Sequence, residues 1–599
     1  MNPLATGPMA AGDVSPVRVE VVRHALIAAA EEMKTNLMRT AYNPIIYEVL
    51  DFSCGVFDRA GRMVAQADGL PIFLGNLAVA VQWVVHDVGV ESLRPGDVFL
   101  MNDPYLTGNH LNDVAAVAPV FSRGGELLGF TSTRAHWLDI GGKDPGGSID
   151  STDVVQEGLW FRSVQVLREG RQDEHVTRLI EHNIRYTKNM MGDLRAQTAA
   201  ALSGAARVAE IFGRHGRDTV ESVITVMHRQ GEQRTRQAIS DMRDGVYRAS
   251  SCLDDDCLGN GPLPVEVTAQ VHGDQLHIDL QGSHAQNVGP VNCGLPATLA
   301  ACRIALKCLT HPHTPATEGD FAPLHLDCPD DSMFNAQYPA PTFMYGQHLR
   351  ILIDTVITAL SDTLPDRVAA AHYGDLSGFF FVGTDPRSGE LYIHQEPENG
   401  GWGAGPHGDG ESAMIFINDG DTRNIPAEVI ETRFPLRLER HELRQDSGGP
   451  GQHRGGLGIV RDYRVLDHHA EMTCILERQQ CPPWGLFGGG SAQHGQVVAH
   501  PGTGAEQVYQ KGMRVPVGAD GLVSIQTGGG GGWGPPAHRD PEAVRRDVEA
   551  GYVSAHAAER DYHVVLDPHS LDIDPTPTNQ QRANTSAPMG ETTAQGSNH

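Results

Sequence analysis

The pattern His-x-x-Asp occurs at His110/Asp113 and again at His136/Asp139. Two imidazoles and two carboxylates form a hard-to-borderline donor set suited to Mn²⁺, Zn²⁺ or Fe²⁺. His and Asp at strand ends also serve as caps and turn formers, so one copy leaves both roles open. The second copy favours a metal. Asn109, Asn112 and Arg134 are the neighbours expected to orient such ligands through hydrogen bonds. Glu48, Asp153 and Glu157 are the candidate acids and bases, with Asp51 in the same short acidic segment as Glu48. For each of these the ordinary alternative is a solvated turn or loop acid.

Two apolar runs, 114–121 and 127–135, separate the motifs, with Ser-Arg-Gly-Gly-Glu between them. Val, Phe and Thr favour strands and the glycines permit a tight reversal. An antiparallel hairpin follows, and it brings both motifs to its open end. Ahead of it, a helix is expected from Pro16 to Tyr42, with Val22, Leu26, Met33 and Leu37 on one face. Asn43-Pro44 stops it. Two strands around the 58–61 turn, a helix at 74–88 and a strand at 98–102 lead into the first motif.

The glycine-bearing loop 143–159 is expected as a lid or docking edge, with Gly146-Gly147 as hinge and Trp160-Phe161 beside it. Helices dominate 174–242. Alternation at 265–271 and 276–280 then signals a β-hairpin and places a boundary near 245–262. Helices at 296–309 and 346–364 follow, strands dominate after 435, and two short helices fall in 540–563. The fold class expected is α+β (mixed α/β) and multidomain: an N-terminal domain over 17–250, a central one over 251–434, a β-rich one over 435–566, and a disordered tail at 567–599.

A chain of 599 residues with 40% hydrophobic content can bury several cores. Its formal charge of −28 argues against nucleic-acid or anionic-membrane partners. The nine cysteines are scattered without Cys-x-x-Cys, which reads as reduced thiols in a cytoplasm. No signal pattern and no apolar run of about 18 residues is apparent, so no membrane span is expected. The glycine-rich stretches at 400–405 and 528–532 lack the Gly-Lys-Ser/Thr of a phosphate loop. They read as close backbone packing or a substrate channel.

The stretches AAEEMKTNLMRTAYNP, DFSCGVFD, GNHLNDVAAVAPVF, RAHWLDIGG, MGDLRAQTAA, LRQDSGGPGQHRGGLG, PPWGLFGGG and TGGGGGWGPP, in that order, carry a resemblance. With RNIPAEVIE and RDPEAVRRDVEAGYVS they make the chain, over nearly all of 17–566, similar to the hydantoinase B/oxoprolinase family. That family includes B-type subunits of ATP-dependent hydantoinases, the C-terminal part of 5-oxoprolinase, and acetone and acetophenone carboxylase subunits. The resemblance implies a hetero-oligomer in which ATP is held by an A-type (hydantoinase A-like) ATPase subunit that activates the substrate. The B-type subunit then holds a divalent metal and completes the reaction.

The function expected is ring opening of a cyclic amide or imide. The alternative is the metal-containing subunit of an acetone/acetophenone-type carboxylase, and a third reading is a scaffold with a vestigial site. All three await the arrangement of the side chains.

Overall fold

The computed structural model describes residues 14–585; residues 1–13 and 586–599, both expected to be unstructured, lie outside it. Strands β1 (Phe52–Phe57), β2 (Met63–Gln66), β3 (Val98–Met101), β4 (Asp113–Phe121), β5 (Leu127–His136), β6 (Val164–Arg168) and β7 (Arg171–Gln172) form one sheet. Its order is β2-β1-β5-β4-β3-β6-β7, and every neighbouring pair is antiparallel.

Both faces of this sheet are covered, which explains why β4 and β5 read as unbroken apolar runs. Along β4, Val114, Ala116, Ala118 and Val120 face a core shared with helices Pro16–Thr40 and Thr187–His215. Ala115 and Val117 face the opposite way, onto Leu77, Val81 and Val84 of helix Pro71–Val88. That helix has 18 residues and a mean hydropathy of 1.3, so an apolar run of membrane-spanning length does exist, contrary to expectation. Its apolar face is spent on the sheet, with Leu77, Ala80, Val81 and Val84 fully buried.

The switch to period two near residue 245 is a second sheet. Strands β8 (Gly245–Leu253), β9 (Leu263–His272), β10 (Gln275–Asp279) and β11 (Leu324–Asp327) order as β11-β10-β9-β8, packed on helices Leu295–Thr310 and Tyr345–Ala359. A third sheet, β13-β12-β16-β19, and a fourth, β14-β15-β20-β17-β18, comprise β12 (Gly378–Thr384), β13 (Leu391–Glu396), β14 (Leu436–Leu443), β15 (Ile459–Val465), β16 (Ala470–Ile475), β17 (Gln496–Ala499), β18 (Gln507–Tyr509), β19 (Lys511–Val517) and β20 (Leu522–Gln526). Phe379, Tyr463 and Met472 of these sheets join the same apolar core as Leu26 and Val114.

The glycine-rich stretches pack backbone on backbone. Gly401 N–H donates to Gly528 O at 3.0 Å, Ala404 N–H to Gly531 O at 2.9 Å, and Gly449 N–H to Gly530 O at 2.8 Å. A Cβ on Gly530 would lie 2.0 Å from Trp402 O, so no side chain fits between these strands of backbone.

Two expectations need correction. Cys252 and Cys481 form a disulfide linking β8 to the segment after β16, so not every thiol is reduced; the other seven cysteines are free. Their distance in sequence hid a pairing that only the fold creates. The tail is also ordered as far as it is described, with a helix at Pro575–Thr585. Thr578 Oγ1 accepts from Val565 N–H at 3.0 Å and Arg582 donates to the carbonyls of Ala537 and Arg539. Polar tethers to the body replace the apolar face that the tail lacks.

Candidate metal centre

The hairpin forms as its turn residues dictate. Ser122 Oγ accepts from Gly124 N–H at 3.2 Å and Glu126 N–H at 3.1 Å, closing the reversal. The β4/β5 register then sets Asp113 directly opposite His136. His110 approaches from the turn before β4, and Asn112 ties the two strand ends together by donating to Trp137 O at 2.6 Å.

His110, Asp113 and His136 are all buried, and one ligand atom from each falls within 4.8 Å of the others. His110 Nε2 lies 2.9 Å from Asp113 Oδ1 and 3.2 Å from His136 Nδ1, and His136 Nδ1 lies 3.2 Å from Asp113 Oδ1. His110 Nδ1 is 2.9 Å from Phe343 O, a partner that can only accept. Nδ1 therefore carries the proton and Nε2 presents a lone pair, the arrangement usual for a metal-ligating histidine. Lone pairs on His110 Nε2 and Asp113 Oδ1 cannot face each other at this distance without a proton or a cation between them. The donor set fits a divalent cation.

Electrostatics agree with that geometry. Burial opposes the charged form of Asp113, but the two imidazoles outweigh it and hold the carboxyl far below the usual range. Burial likewise opposes a charged His110, yet the Asp113 carboxylate raises its pKa overall. For His136 burial wins and the pKa falls. Asp113 Oδ2 is turned away from the cluster, accepting from Tyr345 OH at 2.9 Å and Asn109 Nδ2 at 3.1 Å. Asn109 Oδ1 in turn accepts from Asn76 Nδ2 at 2.6 Å and Arg134 Nη1 at 3.1 Å. Asn109 and Arg134 thus reach the cluster through Asp113, in the supporting role expected of them.

Asp139 is not brought to the cluster. β5 ends at His136, and the chain leaves the sheet before Asp139. Its carboxylate accepts from Gly141 N–H at 3.1 Å, Tyr186 N–H at 2.9 Å and Arg185 N–H, capping the approach to helix Thr187–His215. Glu48 is the C-cap residue of the short helix Pro44–Tyr47 and lines no part of the cavity beside the cluster. Asp153 caps a 3-10 turn by accepting from Val155 N–H at 2.8 Å.

Glu157 is buried with both oxygens occupied. Oε1 takes Ser151 Oγ at 2.7 Å, Thr342 N–H at 2.9 Å and Phe343 N–H at 2.9 Å, while Oε2 takes Thr342 Oγ1 at 3.1 Å. It tethers the segment whose carbonyl receives His110 Nδ1. The 143–159 loop is anchored as well: Arg514 pairs with Asp144 and Asp150. Gly147, at φ +135°, lies beneath the Phe343 ring, which stacks on His110 at a centroid distance of 5.3 Å.

A cavity of about 80 Å³ opens beside the cluster, walled by Phe73, Phe343 and Phe380 together with polar Asp51, Arg350, Gln395 and Asp419. Asp51 is the carboxyl that sequence reasoning placed second to Glu48. Its Oδ1 is buried without a hydrogen-bond partner, and burial, then the charges of Asp113 and Asp419, push its pKa well above the carboxylate range. Arg350, Gln395 and Asp419 went unnoticed in the sequence because each comes from a different distant segment with no motif around it.

A profile of the hydantoinase B/oxoprolinase family matches residues 15–536. The chain is 32% identical over 590 residues to a protein of Pseudomonas sp. (strain NS671) assigned as the B-type subunit of a D-/L-hydantoinase, covering 95% of this chain and 98% of that one. It is 30% identical over 582 residues to the beta-type caprolactamase chain of Pseudomonas jessenii, covering 95% and 99%. Its fold superposes on the crystal structure of the ATP-dependent caprolactamase from that organism with a TM-score of 0.89 at 28% identity, over 96% of this chain and all of the other. An acetone carboxylase structure shares the fold at a TM-score of 0.85 and 19% identity, over 95% of this chain and 83% of the other. The chain belongs to the hydantoinase B/oxoprolinase family.

Proposed function

We propose that this chain is the B-type catalytic subunit of an ATP-dependent cyclic-amide hydrolase, with His110, Asp113 and His136 as ligands of a divalent metal. The observation that carries the reading is the convergence of three buried acceptors at the edge of a closed cavity. A divalent cation held there supplies Lewis acidity to an oxygen of the substrate and to water.

The chain's own residues do the rest. Tyr345 and Asn109 hold Asp113 Oδ2, leaving Oδ1 to the cluster. Phe343 O fixes the His110 ring, and Gln395 Nε2, 3.4 Å from His136 Nε2, steadies the other. Asp51 Oδ1 collects the proton from the attacking water and returns it to the nitrogen as the ring opens, the task for which Glu48, Asp153 and Glu157 had been candidates. Phe343 covers His110 and keeps bulk water from the reacting carbonyl.

Amide resonance makes the uncatalysed cleavage slow, so an A-type partner spends ATP to activate the carbonyl before it reaches this cavity. The relatives support that division of labour, since one is the B-type component of a hydantoinase and another the beta-type component of a caprolactamase.

The test is co-expression with an A-type subunit and a screen of lactams, hydantoins and ketones for ATP-coupled turnover, with and without bicarbonate. Ring-opened product without bicarbonate, lost in His136→Ala, is the expected result. Carboxylated ketone formed only with bicarbonate would replace this reading with the carboxylase.

A further inference from the structure

The cavity also bears on the kind of ring it takes, given the reading just proposed. Among the residues lining it, Arg350 is the sole Arg or Lys, against Asp51, Asp113, Glu396 and Asp419. Arg350 is already engaged: its Nη2 and Nε donate to Asp419 Oδ2 at 2.7 and 3.2 Å, and Nη1 lies 3.4 Å from Gln347 Oε1. No uncompensated side-chain cation is left to receive an anionic substituent away from the metal ligands.

The unpartnered groups there are of the opposite kind. Asp51 Oδ1, Gln395 Oε1 and Thr422 Oγ1 are buried, lack hydrogen-bond partners and belong to residues that line the cavity. All three accept, and only the hydroxyl can also donate. Buried acceptors left unmatched are costly, so a fitting ligand brings N–H donors to them. The remaining wall is apolar, from Phe73, Phe343 and Phe380.

We infer that the substrate is an uncharged cyclic amide with at least one free ring N–H, read by Asp51, Gln395 and Thr422, and that a carboxylate on the ring excludes it. A ring carboxylate would sit against Asp51 and Asp419 with Arg350 unavailable. An N-methyl group would leave an acceptor bare.

Calorimetry on the Zn²⁺-loaded full chain tests this with four probes: 2-pyrrolidone, hydantoin, N-methyl-2-pyrrolidone and 5-oxoproline. The uncharged N–H rings should bind at least about tenfold tighter than both the N-methyl and the carboxylate analogues, the scale expected when a site's polar group is left unpaired. Asp419→Asn should release Arg350 and narrow the gap for 5-oxoproline. Should that variant fail to fold, the four-probe ranking on the unaltered chain still decides.

Equal or tighter binding of 5-oxoproline, indifference to N-methylation, or binding of none of the four would overturn the inference. Turnover by the assembled enzyme reports separately. Uncharged rings that bind in this order but are never opened would leave the inference standing and remove the hydrolase reading.

Discussion

At the scale of single residues, the metal centre makes a sharp division between two aspartates that look alike in sequence. Asp113 starts β4 and points into the cluster, whereas Asp139 lies beyond the end of β5 and caps a turn. His136→Ala and Asp113→Ala should each weaken metal binding by more than about 100-fold, the upper range for loss of even an outer partner. Asp139→Ala should retain the metal while costing about 1–3 kcal/mol of stability through its unpaired N–H groups. Elemental analysis alongside denaturant unfolding separates the two classes, and metal loss in Asp139→Ala with the fold intact would restore that residue as a ligand. The repeated motif was legible because its spacing coincides with the ends of a hairpin. Its fourth member was misleading because the strand stops three residues before it.

At the scale of elements, the cluster depends on a segment that touches it through one carbonyl. Glu157 holds Thr342 and Phe343 in place, and Phe343 O holds the His110 ring. Glu157→Ala should therefore cost about 2–4 kcal/mol, the sum of several unmet donors, and lower metal affinity by about 10–100-fold although the residue is no ligand. Full metal affinity in a folded Glu157→Ala would uncouple the tether from the site. Gly147→Ala acts on the same assembly from the other side. A Cβ there would fall 1.8 Å from Phe343 Cζ, so the ring must leave His110. Its expected signature is impaired coupled turnover with little change in secondary structure, checked by steady-state kinetics and circular dichroism. The sequence marked 143–159 as a mobile-looking stretch of glycines and acids. Its anchoring by Arg514 was hidden because the partner lies more than three hundred residues away.

At the scale of the whole molecule, the helices that clamp the first sheet meet at one buried acid. Asp193, on helix Thr187–His215, accepts from Tyr42 N–H at 2.6 Å and Asn43 N–H at 3.3 Å, just after helix Pro16–Thr40 ends. Burial raises its pKa to about 6, more than those bonds lower it. The folded state therefore holds a proton that the unfolded chain has released between about pH 4 and pH 6. Stability from this group is fully present below about pH 4 and is lost as pH rises through 6, by at most about 3 kcal/mol at 1.36 kcal/mol per unit. Asp193→Asn should flatten that slope in denaturant titrations at pH 4 and pH 7; an unchanged slope would discount the effect. The purified chain alone should also hydrolyse no ATP, measured by phosphate release, since none of its glycine-rich stretches offers Lys and Ser/Thr to a phosphate.

Most helices and the main hairpin could be read from periodicity, because each buries a single face or lies between two. The cavity could not, since its walls come from residues near 51, 73, 345, 395 and 419, which only the packing of three sheets brings together. The glycine-rich stretches carry a consequence of another kind. They have almost no regular secondary structure, yet their amides donate to carbonyls of neighbouring stretches, with Gly530 N–H on Gly456 O at 3.0 Å and Gly532 N–H on Gly490 O at 2.9 Å. Solvent deuterium should therefore enter these apparent loops as slowly as it enters the strands of the core, because their amides open only when the surrounding sheets do.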